Sequence, residues 1–181
     1  MIMHQNDELI LVDDFDNEIG SLDKYSCHLG EGQLHRAFSV FLINSQKELL
    51  IQKRSSSKFL WGNYWSNSCC SHPRYGESIK DAAVRRTDEE LSVTSELTFL
   101  YSFKYKATFR DVGSENELCH VFFGKVDQTI EFNEAEISEI KFVPLTEVET
   151  FIQENRKNIT PWFKLEWNEI LVKYLDLFLN T

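Results

Sequence analysis

No run of ~18 apolar residues occurs anywhere in this 181-residue chain, which leaves no candidate for a membrane-spanning helix. The N-terminus, MIMHQNDELILVDDFDNEIG, lacks the basic segment and the long apolar segment of a secretory signal. A cytoplasmic protein without a targeting extension is therefore expected. Cysteine is scarce: Cys27, Cys69, Cys70 and Cys119 have neither the density nor the spacing of a secreted disulfide scaffold, which points to reduced thiols. Basic residues are outnumbered, 19 against 29 acidic ones, and the net charge of −10 argues against nonspecific binding to nucleic acid or an anionic membrane. An anionic small molecule stays open, because a few local cations override the global sign at short range. Repeats, low-complexity linkers and long blocks of like charge are also missing, so one domain over residues 1–181 is expected.

What is present suits a globular core: 42% apolar and 13% aromatic residues argue against disorder. ELILVD (8–13) reads as a strand, and AFSVFLIN (37–44) and ELLIQKR (48–54) as two strands joined by the polar turn SQK. Residues 55–77 read as loop. SIKDAAVRRTDEEL (78–91) reads as a helix, with Ser78 as cap and Asp81 three residues on. ELTFLYSFKYKAT (96–108), ELCHVFFGKV (117–126) and the short KFVPL (141–145) are the remaining strands. TEVETFIQENR (146–156) and PWFKLEWNEILVKYLDLFLN (161–180) are helices, the second opened by Pro161 after Thr160. This mixture implies an α/β sandwich in which helices cover a sheet.

Three short constellations carry chemistry: His28-x6-His35, Cys70-Ser71-His72 and Glu115-Asn116-Glu117. Each alone has an ordinary explanation, as surface histidine, core residue or solvated strand edge. Cys69-Cys70-x-His72 is open to reading as a redox pair, half a zinc site or part of an active site. Glu115 and Glu117 stand at i and i+2, the same face of a strand, where two carboxylates repel unless a cation lies between them or one keeps its proton. With the three histidines they compose a His3Glu2 shell suited to Mn²⁺, Mg²⁺ or Zn²⁺.

From residue 71, SHPRYGESIKDAAVRRTDEELSV follows the spacing of the Nudix box, a loop and helix that hold divalent cations against a diphosphate. Glu77, Arg85, Glu89, Glu90 and Val93 match. Ser71 and Ser92 replace glycines, Thr87 replaces an aliphatic residue, and Arg86 replaces the first paired glutamate. Glutamates on one helix face can share a Mg²⁺; Arg86 removes such a ligand and supplies a phosphate-binding cation instead. The helix is suited to holding a diphosphate and poorly suited to hydrolysing one. Arg85–Glu89 and Arg86–Glu90 are equally well described as i,i+4 surface pairs.

HRAFSVFLIN, KFLWGNYWSNSCCSHPRYGES, AAVRRTDEEL, FKYKAT, ENELCHVFF and TPWF, taken in order, resemble the type 1 isopentenyl-diphosphate isomerases from about residue 5 to about residue 175. The resemblance implies a Nudix-type α/β/α sandwich with a mixed β-sheet and a Nudix helix. It implies one metal (Mn²⁺, Mg²⁺ or Zn²⁺) held by His28, His35, His72, Glu115 and Glu117, and a Mg²⁺ that arrives with the substrate diphosphate and touches Glu90. Cys70 and Glu117 would be an acid–base pair on opposite faces of the substrate, with Tyr105 beside Glu117. Lys24, Arg54, Lys58 and Arg86 match positions that hold the diphosphate, and Trp162 the tryptophan that faces the reacting carbons. Cys69 has no role in the pattern; an oxidative bond to Cys70 would silence the enzyme. The expected partner is a small diphosphate, with no nucleic acid or membrane, in a monomer or weak homodimer. Two alternatives remain: a divergent Nudix hydrolase of a diphosphate-containing substrate, and a non-catalytic zinc module built on Cys70 and His72 with Cys69 or Cys119.

Overall fold

The structure, a computed structural model, describes residues 7–180. Residues 1–6, which carry part of the N-terminal segment read above as lacking a secretory signal and the start of the family resemblance, lie outside the described residues, as does Thr181.

A mixed sheet of nine strands forms the middle layer. Its strands are β1 (Glu8–Val12), β2 (Glu18–Asp23), β3 (His35–Ile43), β4 (Glu48–Arg54), β5 (Trp65–Ser66), β6 (Cys69–Ser71), β7 (Thr98–Phe109), β8 (Gly113–Lys125) and β9 (Ile137–Pro144). The helices are α1 (Lys24–His28), α2 (Ile79–Leu91), α3 (Val148–Glu154), α4 (Pro161–Lys173) and α5 (Leu175–Leu179).

Strand β3 organises the rest. It pairs in parallel with β8 from His35↔Glu117 to Ile43↔Lys125, and antiparallel with β6 from Phe38↔Ser71 to Val40↔Cys69. A strand covered on both faces reads as a nearly continuous apolar run, as AFSVFLI does. Its period-2 alternation feeds two cores. Ala37, Phe41 and Ile43 pack with Phe163, Trp167 and Ile170 of α4 and Phe178 of α5. Phe38, Val40 and Leu42 pack with Ala82, Ala83 and Leu91 of α2. Helices on both faces make the α/β/α sandwich that was expected.

Helix α2 starts as read: Ser78 Oγ accepts from the Asp81 N–H at 3.1 Å. It ends at Ser92 with φ 52°, the left-handed conformation that a glycine would adopt without the cost of about 1 kcal/mol a side chain incurs.

Four features depart from the sequence reading. The 55–77 loop contains β5 and β6, strands too short for periodicity to reveal. The segment EIGSLD forms β2 despite its exposure, held by β1 from Glu8↔Asp23 onward, and α1 is one turn long. Strand β8 begins at Gly113, so Glu115 and Glu117 lie inside the strand and not at its mouth. The C-terminal helix breaks at Tyr174 because its ring stacks on Tyr101 at 5.4 Å and its hydroxyl donates to the Leu100 carbonyl, tying it to β7.

Candidate active site

The β3–β8 register sets the site. It places His35, the first residue of β3, beside Glu117, and the β7–β8 register places Tyr105 opposite Glu117 on the other side. Strand β6 delivers His72 just beyond its end, and α1 ends on His28. Gly113 makes room for that helix: a Cβ there would overlap the His28 carbonyl oxygen. The donor atoms of His28, His35, His72, Glu115 and Glu117 consequently all lie within 4.8 Å of one another. The cluster contains no cysteine, which removes the thiolate-rich zinc site.

Hydrogen bonds orient two of the imidazoles. Nδ1 of His28 lies 2.5 Å from the Lys24 carbonyl oxygen and Nδ1 of His35 lies 2.7 Å from that of Gln33. Each Nδ1–H donates outward, which turns Nε2 toward the carboxylates, the tautomer a metal requires. Nε2 of the wholly buried His35 has no hydrogen-bond partner and stands 3.7 Å from Glu117 Oε1. Nε2 of His28 faces Glu115 Oε2 at 2.8 Å, an approach of two acceptors that needs a proton or a cation between them. The donor set and its orphaned nitrogen fit a divalent metal. Burial, followed by the proximity of His35 and Lys24, holds His72 well below the usual imidazole range. It is neutral and able to ligate.

Above this cluster opens a cavity of about 950 Å³. Glu117, Tyr105, Cys70 and Trp162 all line it. The Tyr105 hydroxyl donates to Glu117 Oε2 at 2.6 Å, and His72 Nε2 lies 2.8 Å from Glu117 Oε1. Burial pushes the Cys70 thiol up to about 11 against the pull of Arg54, whose Nη1 donates to Sγ at 3.4 Å. Cys70 is therefore a thiol at neutral pH. The indole of Trp162 is fixed by donation from Nε1 to Ser66 Oγ at 3.0 Å, and the Arg54 guanidinium sits 5.2 Å from its ring centroid. Cys69 belongs to the α2-side core and Cys70 to the cavity side. Adjacent residues of a strand point to opposite faces, so a Cys69–Cys70 disulfide would require β6 to come apart.

Lys24, Arg54, Lys58 and Arg86 line the same cavity. Arg86 donates to Glu89 Oε2 at 2.8 Å, Glu90 Oε1 at 2.5 Å and Glu136 Oε1 at 3.0 Å, and Lys58 is ion-paired to Glu136 Oε2. Glu90 is 1% exposed and lies behind Arg86, apart from the cavity wall. Arg85 forms a two-pronged pair with Glu77, at 2.7 and 2.8 Å, joining the loop to the helix, in addition to the expected Arg85–Glu89 pair at 3.1 Å.

Two glutamates went unread in the sequence. Glu136, in the run NEAEISE, has nothing to set it apart from its acidic neighbours. Glu166 is wholly buried in α4, where its Oε1 accepts from Cys119 Sγ at 3.6 Å. Its spacing from Phe163, Trp167 and Ile170 marked the buried face and could have revealed it.

The NUDIX domain family matches residues 33–163. Isopentenyl-diphosphate Delta-isomerase 1 of Photorhabdus laumondii is 46% identical over 94% of this chain and 98% of its own length. The chloroplastic isopentenyl-diphosphate Delta-isomerase II of Arabidopsis thaliana is 37% identical over 94% of this chain and 69% of its own. Among solved structures, DR0079 of Deinococcus radiodurans superposes with a TM-score of 0.66 at 26% identity, covering 81% of this chain and 89% of that one. A MutT protein of Methanosarcina mazei shares the fold with a TM-score of 0.61 at 18% identity, over 75% of this chain and 91% of that one.

Proposed function

The chain belongs to the isopentenyl-diphosphate Delta-isomerases, built on a NUDIX domain, and from that membership we propose that it interconverts isopentenyl and dimethylallyl diphosphate. The reaction adds a proton to C4 of the alkene, passes through a tertiary carbocation at C3, and removes a proton from C2. The observation that carries this reading is the buried His3Glu2 cluster at the floor of a cavity whose wall bears cations and a thiol.

In this reading His28, His35, His72, Glu115 and Glu117 hold the divalent metal, Mn²⁺, Mg²⁺ or Zn²⁺. It supplies a fixed positive charge that tunes the acidity of the Glu117 carboxyl. Glu117 and Cys70 exchange protons with the substrate from opposite faces, and Tyr105 holds Glu117 in place through its 2.6 Å bond. Trp162 presents an electron-rich face that stabilises the carbocation electrostatically, an attraction on the order of 2 kcal/mol once water is excluded. That the same ring accepts Arg54 at 5.2 Å supports its capacity to face a cation. Lys24, Arg54, Lys58 and Arg86 hold the diphosphate, and Glu90, buried behind Arg86, meets the Mg²⁺ that accompanies it once Arg86 swings from Glu90 to the diphosphate.

The domain covers residues 1–181 and works in the cytoplasm as a monomer or weak homodimer, without nucleic-acid or membrane partners. The net charge of −10 supports that choice of partners. The hydrolase alternative is disfavoured by Arg86, whose guanidinium occupies the position where the box places a carboxylate and binds Glu89, Glu90 and Glu136.

The test is exchange in heavy water. Metal-loaded protein given isopentenyl diphosphate should produce deuterated dimethylallyl diphosphate. A folded, metal-loaded sample that incorporates no deuterium, or that releases inorganic phosphate, overturns the assignment.

A further inference from the structure

Of the four cations assigned to the diphosphate, two already share one anion. Glu136 pairs with Lys58 through Oε2 and accepts from Arg86 Nη2 through Oε1 at 3.0 Å. Its side chain is 18% exposed and lines the cavity. The backbone fixes it there: Ser55 N–H donates to the Glu136 carbonyl at 2.9 Å, and Ser57 Oγ to that of Ala135 at 3.1 Å. The glutamate is therefore built into the anion pocket by the same loop that carries Lys58. Burial alone would raise its carboxyl, but Lys58 and Arg86 hold it far below the usual carboxylate range. It stays ionised whenever the pocket is empty.

An anionic side chain inside an anion pocket lowers affinity for every anion unless it discriminates between two forms of one. A bare diphosphate brings its negative oxygens against Glu136 and competes with it for Lys58 and Arg86. A diphosphate carrying Mg²⁺ presents a dication, so the same carboxylate attracts what it otherwise repels. Glu90, also bound to Arg86, adds to this field. We propose that Glu136 is a specificity-determining residue that makes the pocket select the Mg²⁺–diphosphate complex over the free diphosphate. This rests on the reading that the cavity binds a diphosphate.

The experiment measures the dissociation constant of inorganic pyrophosphate by calorimetry, with the resident metal in place, in Mg²⁺-free and Mg²⁺-saturated buffer. Wild-type protein should prefer the Mg²⁺ form. In Glu136→Gln that preference should shrink about tenfold, equivalent to about 1.4 kcal/mol, chiefly because the Mg²⁺-free complex tightens. Glu136→Asp, which keeps the charge, should retain most of it. A purely structural role for Glu136 would weaken both forms in parallel and leave the ratio unchanged, and that result overturns the proposal. Absence of pyrophosphate binding to wild-type protein in either buffer would instead overturn the diphosphate reading itself.

Discussion

At one end of the cavity His28, His35, His72, Glu115 and Glu117 converge from strands β3, β6 and β8 and the one-turn helix α1, with hydrogen bonds fixing two of the rings. At the other end Lys24, Arg54, Lys58 and Arg86 come from α1, the end of β4, a loop and α2. Two of these cations are neutralised by Glu136, which a ligand can rival. The first end is set largely by backbone register and the second by long side chains held in ion pairs. Rigidity follows from that difference, since register cannot slip without moving a whole strand. A preorganised end suits the proton chemistry, and an adaptable one suits capture of a charged substrate.

The largest expected break separates chemistry from metal. Cys70→Ala should lower turnover by about 10²–10⁴-fold, the usual contribution of a positioned proton-transfer group. Metal content by elemental analysis should be unchanged, because no cysteine belongs to the ligand cluster. Loss of metal together with turnover would make Cys70 part of the rigid end instead.

Gly113→Ala attacks the rigid end without replacing a ligand side chain. The new Cβ collides with the His28 carbonyl and displaces α1. Metal affinity should fall by about tenfold or more, as for other changes in the support of ligands, and the melting temperature should fall with it. Retention of full metal affinity would show that α1 adapts as readily as the cationic end.

Arg86→Lys probes the adaptable end. An ammonium keeps the charge but cannot bridge Glu89, Glu90 and Glu136 with a planar fork. kcat/KM should drop about tenfold, the size of one charge-assisted hydrogen bond, with most of the change in KM. A change confined to kcat would place Arg86 with the chemistry.

The two ends also differed in how far the sequence revealed them. The five metal donors were legible because Glu115 and Glu117 share a strand face by period alone, and the motif spacing singled out the histidines. Their convergence was not, since it depends on the parallel pairing of β3 with β8, residues about 80 apart in the chain. Strand β2 and helix α1 escaped notice because an exposed strand has no apolar alternation and one helical turn has no period. At the adaptable end Arg86 was legible from the box spacing, whereas Lys24, Arg54 and Lys58 were found only through the family resemblance. Glu136 was invisible, because nothing in an acidic run says which carboxylate turns inward. Ion pairs made by long side chains leave no periodic trace.

Glu166 tests whether pairing, and not burial, separates the two ends. Glu136 is flanked by Lys58 and Arg86 and stays ionised, whereas Glu166 is wholly buried beside Ser39 and Cys119, neither of them a cation, and its Oε2 has no hydrogen-bond partner. Burial pushes Glu166 up to about 8, from 4.5 in an exposed glutamate. Between those two values the unfolded chain has released the proton and the folded protein still holds it, so the native state binds more protons. The contribution of Glu166 to stability then falls as pH rises from 4.5 to about 8, and it levels off beyond. The slope from this one group is at most about 1.4 kcal/mol per pH unit. Glu166→Gln carries no titrating proton. Denaturant unfolding at pH 5, 6.5 and 8 should therefore show a shallower decline in Glu166→Gln than in wild-type protein, with the largest relative gain at pH 8. Parallel curves for the two proteins would mean that Glu166 is ionised in the fold, and that an unseen partner pairs it as Lys58 and Arg86 pair Glu136.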